Sequence, residues 1–198
     1  LKMKLGFQCD DFIITYMGSP CTLRGPDTVI RSMPKILEKS ENAKLLILSR
    51  RESETLEEGY LRKLTKQLGV LRHVRIIPGI LNREKLSEFI NISHVIVFPF
   101  KVLSSEPPLA ILEVMSLGKV VITTNISSLQ EIVNKNRGIL VRPNDPKALA
   151  KKILFLIEHQ EELMRLGKNA QKYATNLPSW EEITQKTIHV LHEVALED

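Results

Sequence analysis

Two hydrophobic rhythms alternate along this chain. Short, almost unbroken apolar runs stand at 12–17, 44–48, 73–77, 94–98, 119–124 and 138–141. Between them lie stretches whose apolar residues recur three and four positions apart. The first, 26–39, carries Val29, Ile30, Met33, Ile36 and Leu37 on one face. Others cover 56–68, the segment from Arg83 through Leu86, Phe89 and Ile90, 108–117, a short one reaching Val133, and 146–158. Two more, 160–174 and 179–196, finish the chain. The first rhythm predicts strands buried on both faces, and the second predicts helices.

Punctuation residues agree with that division. Pro26 and Pro146 suit the first turn of a helix, where no N–H is needed. Asn82 and Asp145 are N-cap residues for the helices that follow, and Ser127 or Ser128 is expected to cap the short one. Gly69 and Gly118 are expected to stop helices, Gly18 ends the first strand, and Pro34 marks a kink. Regular strand–helix alternation predicts an α/β fold: a Rossmann-like parallel sheet with helices on both faces, plus C-terminal helices. Ligands of such sheets bind beyond the carboxyl ends of the strands. The loops 18–25, 49–53, 78–82, 99–108 and 124–128 therefore carry the candidate chemistry.

Composition narrows the partners. The chain has 198 residues, enough for one good-sized core, and 43% hydrophobic content excludes a disordered chain. A net charge of +5 suits an anionic ligand or an acidic membrane surface, but the basic residues are scattered, which disfavours nucleic acid. Cys9 and Cys21 have no metal-ligand spacing and are expected to be reduced thiols in a cytoplasmic setting, with no bound metal. No apolar run is long enough to cross a bilayer. The chain starts at Leu1 and enters a strand almost at once, so it is expected to be a domain of a longer protein.

The most informative stretch is Ser104-Ser105-Glu106-Pro107-Pro108-Leu109-Ala110-Ile111-Leu112-Glu113, followed by Gly118 and the apolar run at 119–124. A helix start offers unbonded N–H groups and a positive dipole end to an anion. Carboxylates beside it can accept hydrogen bonds from sugar or ribose hydroxyls. The first loop, Gly18-Ser19-Pro20-Cys21-Thr22-Leu23-Arg24-Gly25, brings a guanidinium suited to phosphate oxygens. Neither a GxGxxG nor a P-loop is present. Arg50 and Arg51 read as a surface pair, His94 as structural, and Asn125 as a turn residue. The charged residues Glu158, Glu161, Glu162, Arg165 and Lys168 read as a solvated helix face.

These segments resemble the donor-binding half of the group-1, family-4-type glycosyltransferases of GT-B fold. Residues 106–125 resemble the family's pair of glutamates flanking a loop and helix start, then a small-residue helix, Gly and apolar strand. Gly18 with Arg24-Gly25 resembles its Gly-Arg…Lys-Gly loop. Residues 74–98 and Gly138-Ile139-Leu140-Val141-Arg142-Pro143-Asn144-Asp145-Pro146 match further segments in collinear order over nearly the whole chain. There are departures: the family's first glutamate falls on Ser105, with Glu106 one place late, its Gly-Phe-Gly is Glu106-Pro107-Pro108, and the loop's arginine is Ser19.

The resemblance implies that residues 1–198 form the nucleotide-sugar-binding half of a retaining glycosyltransferase whose acceptor-binding N-terminal domain is not in this chain. It implies that Glu113 holds the ribose hydroxyls and that Ser105 or Glu106 meets the transferred sugar. Arg24, beside Gly18 and Ser19, would hold the diphosphate together with the amides of Leu109 and Ala110, and the base would rest near Gly79 and Ile80. Glu106 and Arg24 are the catalytic candidates. No metal is implied, the acceptor is an undefined glycan, lipid or small molecule, and peripheral membrane association of the full protein is left open. Trp180 would be partly exposed where the last helices turn toward the other domain. A GT-B epimerase or phosphorylase, or a non-catalytic nucleotide-sugar-binding module, would share these features.

Overall fold

A computed structural model describes residues 1–50, 56–103 and 108–196. Six strands carry the apolar runs: β1 Phe12–Gly18, β2 Ala43–Ser49, β3 Val74–Pro78, β4 Val95–Phe98, β5 Val120–Thr124 and β6 Ile139–Val141. They form one sheet of order β3-β2-β1-β4-β5-β6, and every neighbouring pair is parallel. That is the doubly wound order, with its reversal of winding direction between β1 and β4. The Rossmann-like expectation is met.

Eight α-helices are described: α1 Pro26–Leu37, α2 Leu56–Gln67, α3 Arg83–Ile92, α4 Leu109–Ser116, α5 Leu129–Ile132, α6 Pro146–Glu158, α7 Gln160–Thr175 and α8 Trp180–Leu196. They cover the sheet on both sides. Successive side chains of a strand point to opposite faces, so β1 feeds two cores. Phe12, Ile14 and Tyr16 pack with Val29, Ile30 and Met33 of α1, Leu61 of α2 and Ile153 of α6. Ile13 joins Phe7, Leu46, Leu48 and Phe89 on the other face. Beside that cluster, Ile96 and Phe98 of β4 meet Ile111, Val114 and Met115 of α4. Ile13 and Ile14 are fully buried; burying such a side chain is worth about 1.5–3 kcal/mol. The unbroken apolar strands follow from this double coverage.

Local chemistry explains most helix ends. Asn82 Oδ1 accepts from the Lys85 N–H at 3.0 Å, and Asp145 Oδ1 accepts from the Ala148 N–H at 2.8 Å. Ser179 and Glu182 form a reciprocal capping box at the start of α8. Helix α1 runs as one helix through Pro34. Of the two candidates for the cap on α5, Ser127 precedes the N-cap in a left-handed backbone (φ 46°), and Ser128 does not cap. Ser128 stands at its N-cap with a helical backbone and no side-chain bond to the first turn. Its hydroxyl is buried without a hydrogen-bond partner among the described residues. A capping side chain typically sits on an extended backbone at that position, and Ser128 is already helical. Trp180 is exposed, at 72% of its surface, on α8.

His94, just before β4, is structural. Its Nδ1 accepts from the Ile13 N–H at 2.8 Å and its ring stacks on Phe12 at 4.6 Å between centroids. Burial, aided by the nearby charges of Lys2 and Lys119, pushes its pKa from 6.5 down to about 4. The unfolded chain therefore binds a proton that the folded chain refuses between those two values. Stability is expected to fall as pH drops from 6.5 toward 4. Urea unfolding across that window checks this: His94→Asn, which cannot titrate, should show a shallower decline, and an unchanged slope would refute the assignment.

Candidate functional site

The carboxyl ends of β1, β2 and β3 open into a cleft of about 260 Å³, walled on its far side by α4. Its backbone rim is pinned. The Arg50 N–H donates to Gly18 O at 2.8 Å, and the Gly79 N–H donates to Ser49 O at 3.1 Å. The Ser49 hydroxyl donates to the carboxylate of Glu58, a fully buried residue in the first turn of α2. Met17, Leu48, Leu81 and Leu86 supply apolar lining.

Five residues singled out from the sequence line this cleft together: Gly18, Gly79, Ile80, Ala110 and Glu113. Ala110 and Glu113 lie three apart on α4, a spacing that shares one helix face. Glu113 is exposed, and its carboxylate has no hydrogen bond or ion pair among the described residues. At the head of α4, Pro108 has no N–H to give. The Ile111 N–H bonds back to Pro108 O at 2.9 Å, so the amides of Leu109 and Ala110 precede the first closed turn. Leu109 is half exposed and does not line the cleft.

Two cations of the cleft were not singled out. Arg50, read from the sequence as part of a surface pair, lines it directly, as does Arg83 at the first position of α3. The available signal was position: Arg50 directly follows the last residue of β2, on the ligand side of a parallel sheet. Arg51, Ser105 and Glu106 lie outside the described residues.

Ser19 and Arg24 do not line the cleft. The Tyr16 hydroxyl donates to Ser19 O at 2.5 Å. Burial drives the Tyr16 pKa far up, so this phenol stays a neutral donor. Arg24 ends the short 3₁₀ turn Thr22–Arg24, with its guanidinium carbon 5.3 Å from the centroid of the Phe100 ring. The next residue, Gly25, fixes the loop against the β4 exit: with φ +80°, any added Cβ would stand 2.0 Å from Pro99 O.

Asn125 is exposed in the turn after β5, its N–H bonded to Val141 O. Arg165 pairs with Glu162 on the solvated face of α7. Cys9 and Cys21 are free thiols. Among the described residues, no three His, Cys, Asp or Glu side chains group as a metal site, and no helix is long and apolar enough to cross a membrane.

The family model for "Glycosyl transferases group 1" matches residues 1–173. This chain belongs to that family. As a group 1 glycosyltransferase chain it is 31% identical, over 99% of its length, to the uncharacterized glycosyltransferase MJ1607 of Methanocaldococcus jannaschii, of which it covers 48%. The chain spans about half the length of the curated relatives it matches. Among solved structures, Anabaena HepE in complex with UDP and glucose superposes with a TM-score of 0.83 at 18% identity, over 96% of this chain and 50% of that one. A C-terminal domain of a group 1 family glycosyl transferase, LpcC of Francisella tularensis, matches with a TM-score of 0.73 at 18% identity, over 88% of this chain and 96% of that one. The fold of this group 1 chain is thus one half of a GT-B glycosyltransferase.

Gly25 gives this site a direct test. Gly25→Ala adds a methyl where backbone already stands and demands a left-handed backbone of an L-residue. It should destabilise the chain by about 2 kcal/mol or more in urea unfolding. A loss below a few tenths would mean that the two loops are not in this contact.

Proposed function

We propose that this chain is the donor-binding half of a retaining glycosyltransferase, and that its cleft takes a nucleotide-diphosphate sugar carrying a hexose. One observation carries the reading: Glu113, a carboxylate unpartnered among the described residues, shares a helix face of the cleft with Ala110, one turn beyond the first amides of α4. A carboxylate bonded to a vicinal diol beside a helix start bonded to phosphate is a recognition set for a nucleoside diphosphate. Glu113 accepts from the ribose hydroxyls, and the base lies against Gly79 and Ile80. The diphosphate reaches from the ribose toward Leu109, Ala110 and Arg24, past the glycine backbone of Gly18 and the Ser19 loop.

In the transfer step, negative charge builds on the leaving diphosphate. Preorganised donors aimed at that charge lower the barrier. Arg24 and the α4 amides supply them here, with no metal required. Ser105 or Glu106 contacts the sugar. The acceptor, whether glycan, lipid or small molecule, belongs to an N-terminal domain outside this chain, so the chain alone binds donor and transfers little sugar. The relatives named above support this reading, HepE through its UDP and glucose complex and LpcC through a C-terminal domain of matching extent.

Calorimetry with UDP, GDP and ADP tests it. At least one should bind, and silence from all three at millimolar concentration, with the fold intact, would overturn the proposal. Glu113→Ala should then weaken nucleotide binding by about 1.5–3 kcal/mol, the scale of a hydrogen bond to a charged group. Arg24→Ala should weaken the diphosphate more than the nucleoside, and equal losses would remove Arg24 from the phosphate site. Radiolabelled nucleotide sugar given to the full-length protein separates transfer to an acceptor from mere release or epimerisation.

A further inference from the structure

A partly buried ion pair joins the head of α1, just beyond the Arg24 loop, to the loop after β4. Asp27, in the first turn of α1, is 6% exposed. Its Oδ2 meets Lys101 Nζ at 2.8 Å, while Arg31, one turn along the same helix, stays at 4.0 Å. Its Oδ1 is buried and has no hydrogen-bond partner among the described residues. Lys101 therefore provides the close neutralising contact for a carboxylate taken out of water. Leaving such a charge uncompensated is far more costly than leaving an exposed one.

The two partners belong to different elements, the head of α1 and the loop after β4. Asp27 lies three residues beyond Arg24, and Lys101 lies three residues beyond the end of β4. Backbone contacts run alongside the pair. The Lys101 N–H donates to Leu23 O at 2.9 Å, and Gly25 packs its bare Cα side against Pro99 O. The Arg24 guanidinium lies over Phe100, between Pro99 and Lys101 in the chain. Residues 99–102 thus meet the Arg24 end of the first loop through backbone at Leu23 and Gly25 and through the Phe100 ring. The backbone contacts set how close the loops come. The ion pair adds a charge-assisted side-chain bond between the head of α1 and the loop after β4, and such a bond adds direction as well as strength.

We propose that Lys101 is a positioning residue: by holding Asp27 it sets the Arg24 loop at the distance from α4 that a diphosphate needs. Lys101 does not line the cleft and need not touch the nucleotide. The proposal rests on the donor-site reading above. It extends that reading by making the phosphate affinity of one loop depend on a lysine of another.

Nucleoside and nucleoside-diphosphate affinities are measured separately, with UDP, GDP, ADP and their nucleosides, on the 198-residue chain. Failure of the wild-type chain to bind any of them would defeat the donor-site reading itself. If the wild type binds, Lys101→Met should weaken the diphosphate by about tenfold or more while leaving the nucleoside unchanged, the scale set by misplacing a ligating group by a fraction of an ångström. Lys101→Arg, which can still meet Asp27, should restore most of that loss. Lys101→Met also strands a buried carboxylate, so its melting temperature should fall. The double variant Lys101→Met with Asp27→Asn removes the stranded charge and should recover the melting temperature but not the diphosphate affinity. Equal losses for nucleoside and diphosphate would overturn the positioning role. Recovery of diphosphate affinity together with stability in the double variant would also overturn it, because the lysine would then act only by cancelling charge.

Discussion

The whole site hangs on the double pairing of β1. On one side it is in parallel register with β2 over seven residue pairs, and on the other with β4 over three. Parallel pairing puts the exits of all these strands at the same end of the sheet. The order of strands reverses direction between β1 and β4, so the connections from those two strands leave toward opposite faces and a crevice stays open between them. Parallel ladders need both faces covered. The alternating burial of Ile13 and Ile14 into separate cores meets that requirement at the centre of the sheet. Shifting β1 by one residue would turn both cores inside out.

Around that crevice, pinned backbone and exposed charge are divided between different residues. The rim is fixed by main-chain bonds at Gly18, Ser49, Gly79 and Leu23, and by buried side chains that never reach the cleft, such as Tyr16, Glu58 and Asp27. The groups that face solvent in the cleft, Arg50, Arg83 and Glu113, are long and exposed. A frame held this way keeps its shape without a ligand, so less ordering cost falls on binding. The buried carboxylates are costly to desolvate, and each is met by a partner from another element: Glu58 by Ser49, Asp27 by Lys101 and Asp11 by Lys44. Membership of the group 1 glycosyltransferases gives this frame its chemical context, and the cleft lies where a doubly wound sheet binds its ligands.

Much of this protein is legible in its sequence. Apolar runs and helical spacing place every strand and helix of the sheet to within a residue or two, because the periodicity follows directly from burial on one or two faces. Caps at Asn82 and Asp145 are legible because the reaching side chain and the amide it bonds are three residues apart. The same reasoning fails at Ser128, where the backbone enters α5 already helical and the local pattern carries no trace of it. Within the cleft, Ala110 and Glu113 could be grouped from sequence, since one short helix carries both. Arg50 and Arg83 could not, since they come from the ends of different elements and meet through the folded sheet.

The sequence by itself determined the α/β class, the parallel sheet, the helix start before Glu113 and the likeness of its motifs to a family. It did so because each of those is written in residues close together in the chain. Only the tertiary structure decided that Arg24 lies over Phe100 and off the cleft wall, that Gly25 must be glycine because Pro99 O occupies the place of its Cβ, and that Lys101 answers the buried charge of Asp27. Those facts join residues more than seventy positions apart. Their partners are chosen by the stacking order of the strands, which fixes distances that no local spacing encodes.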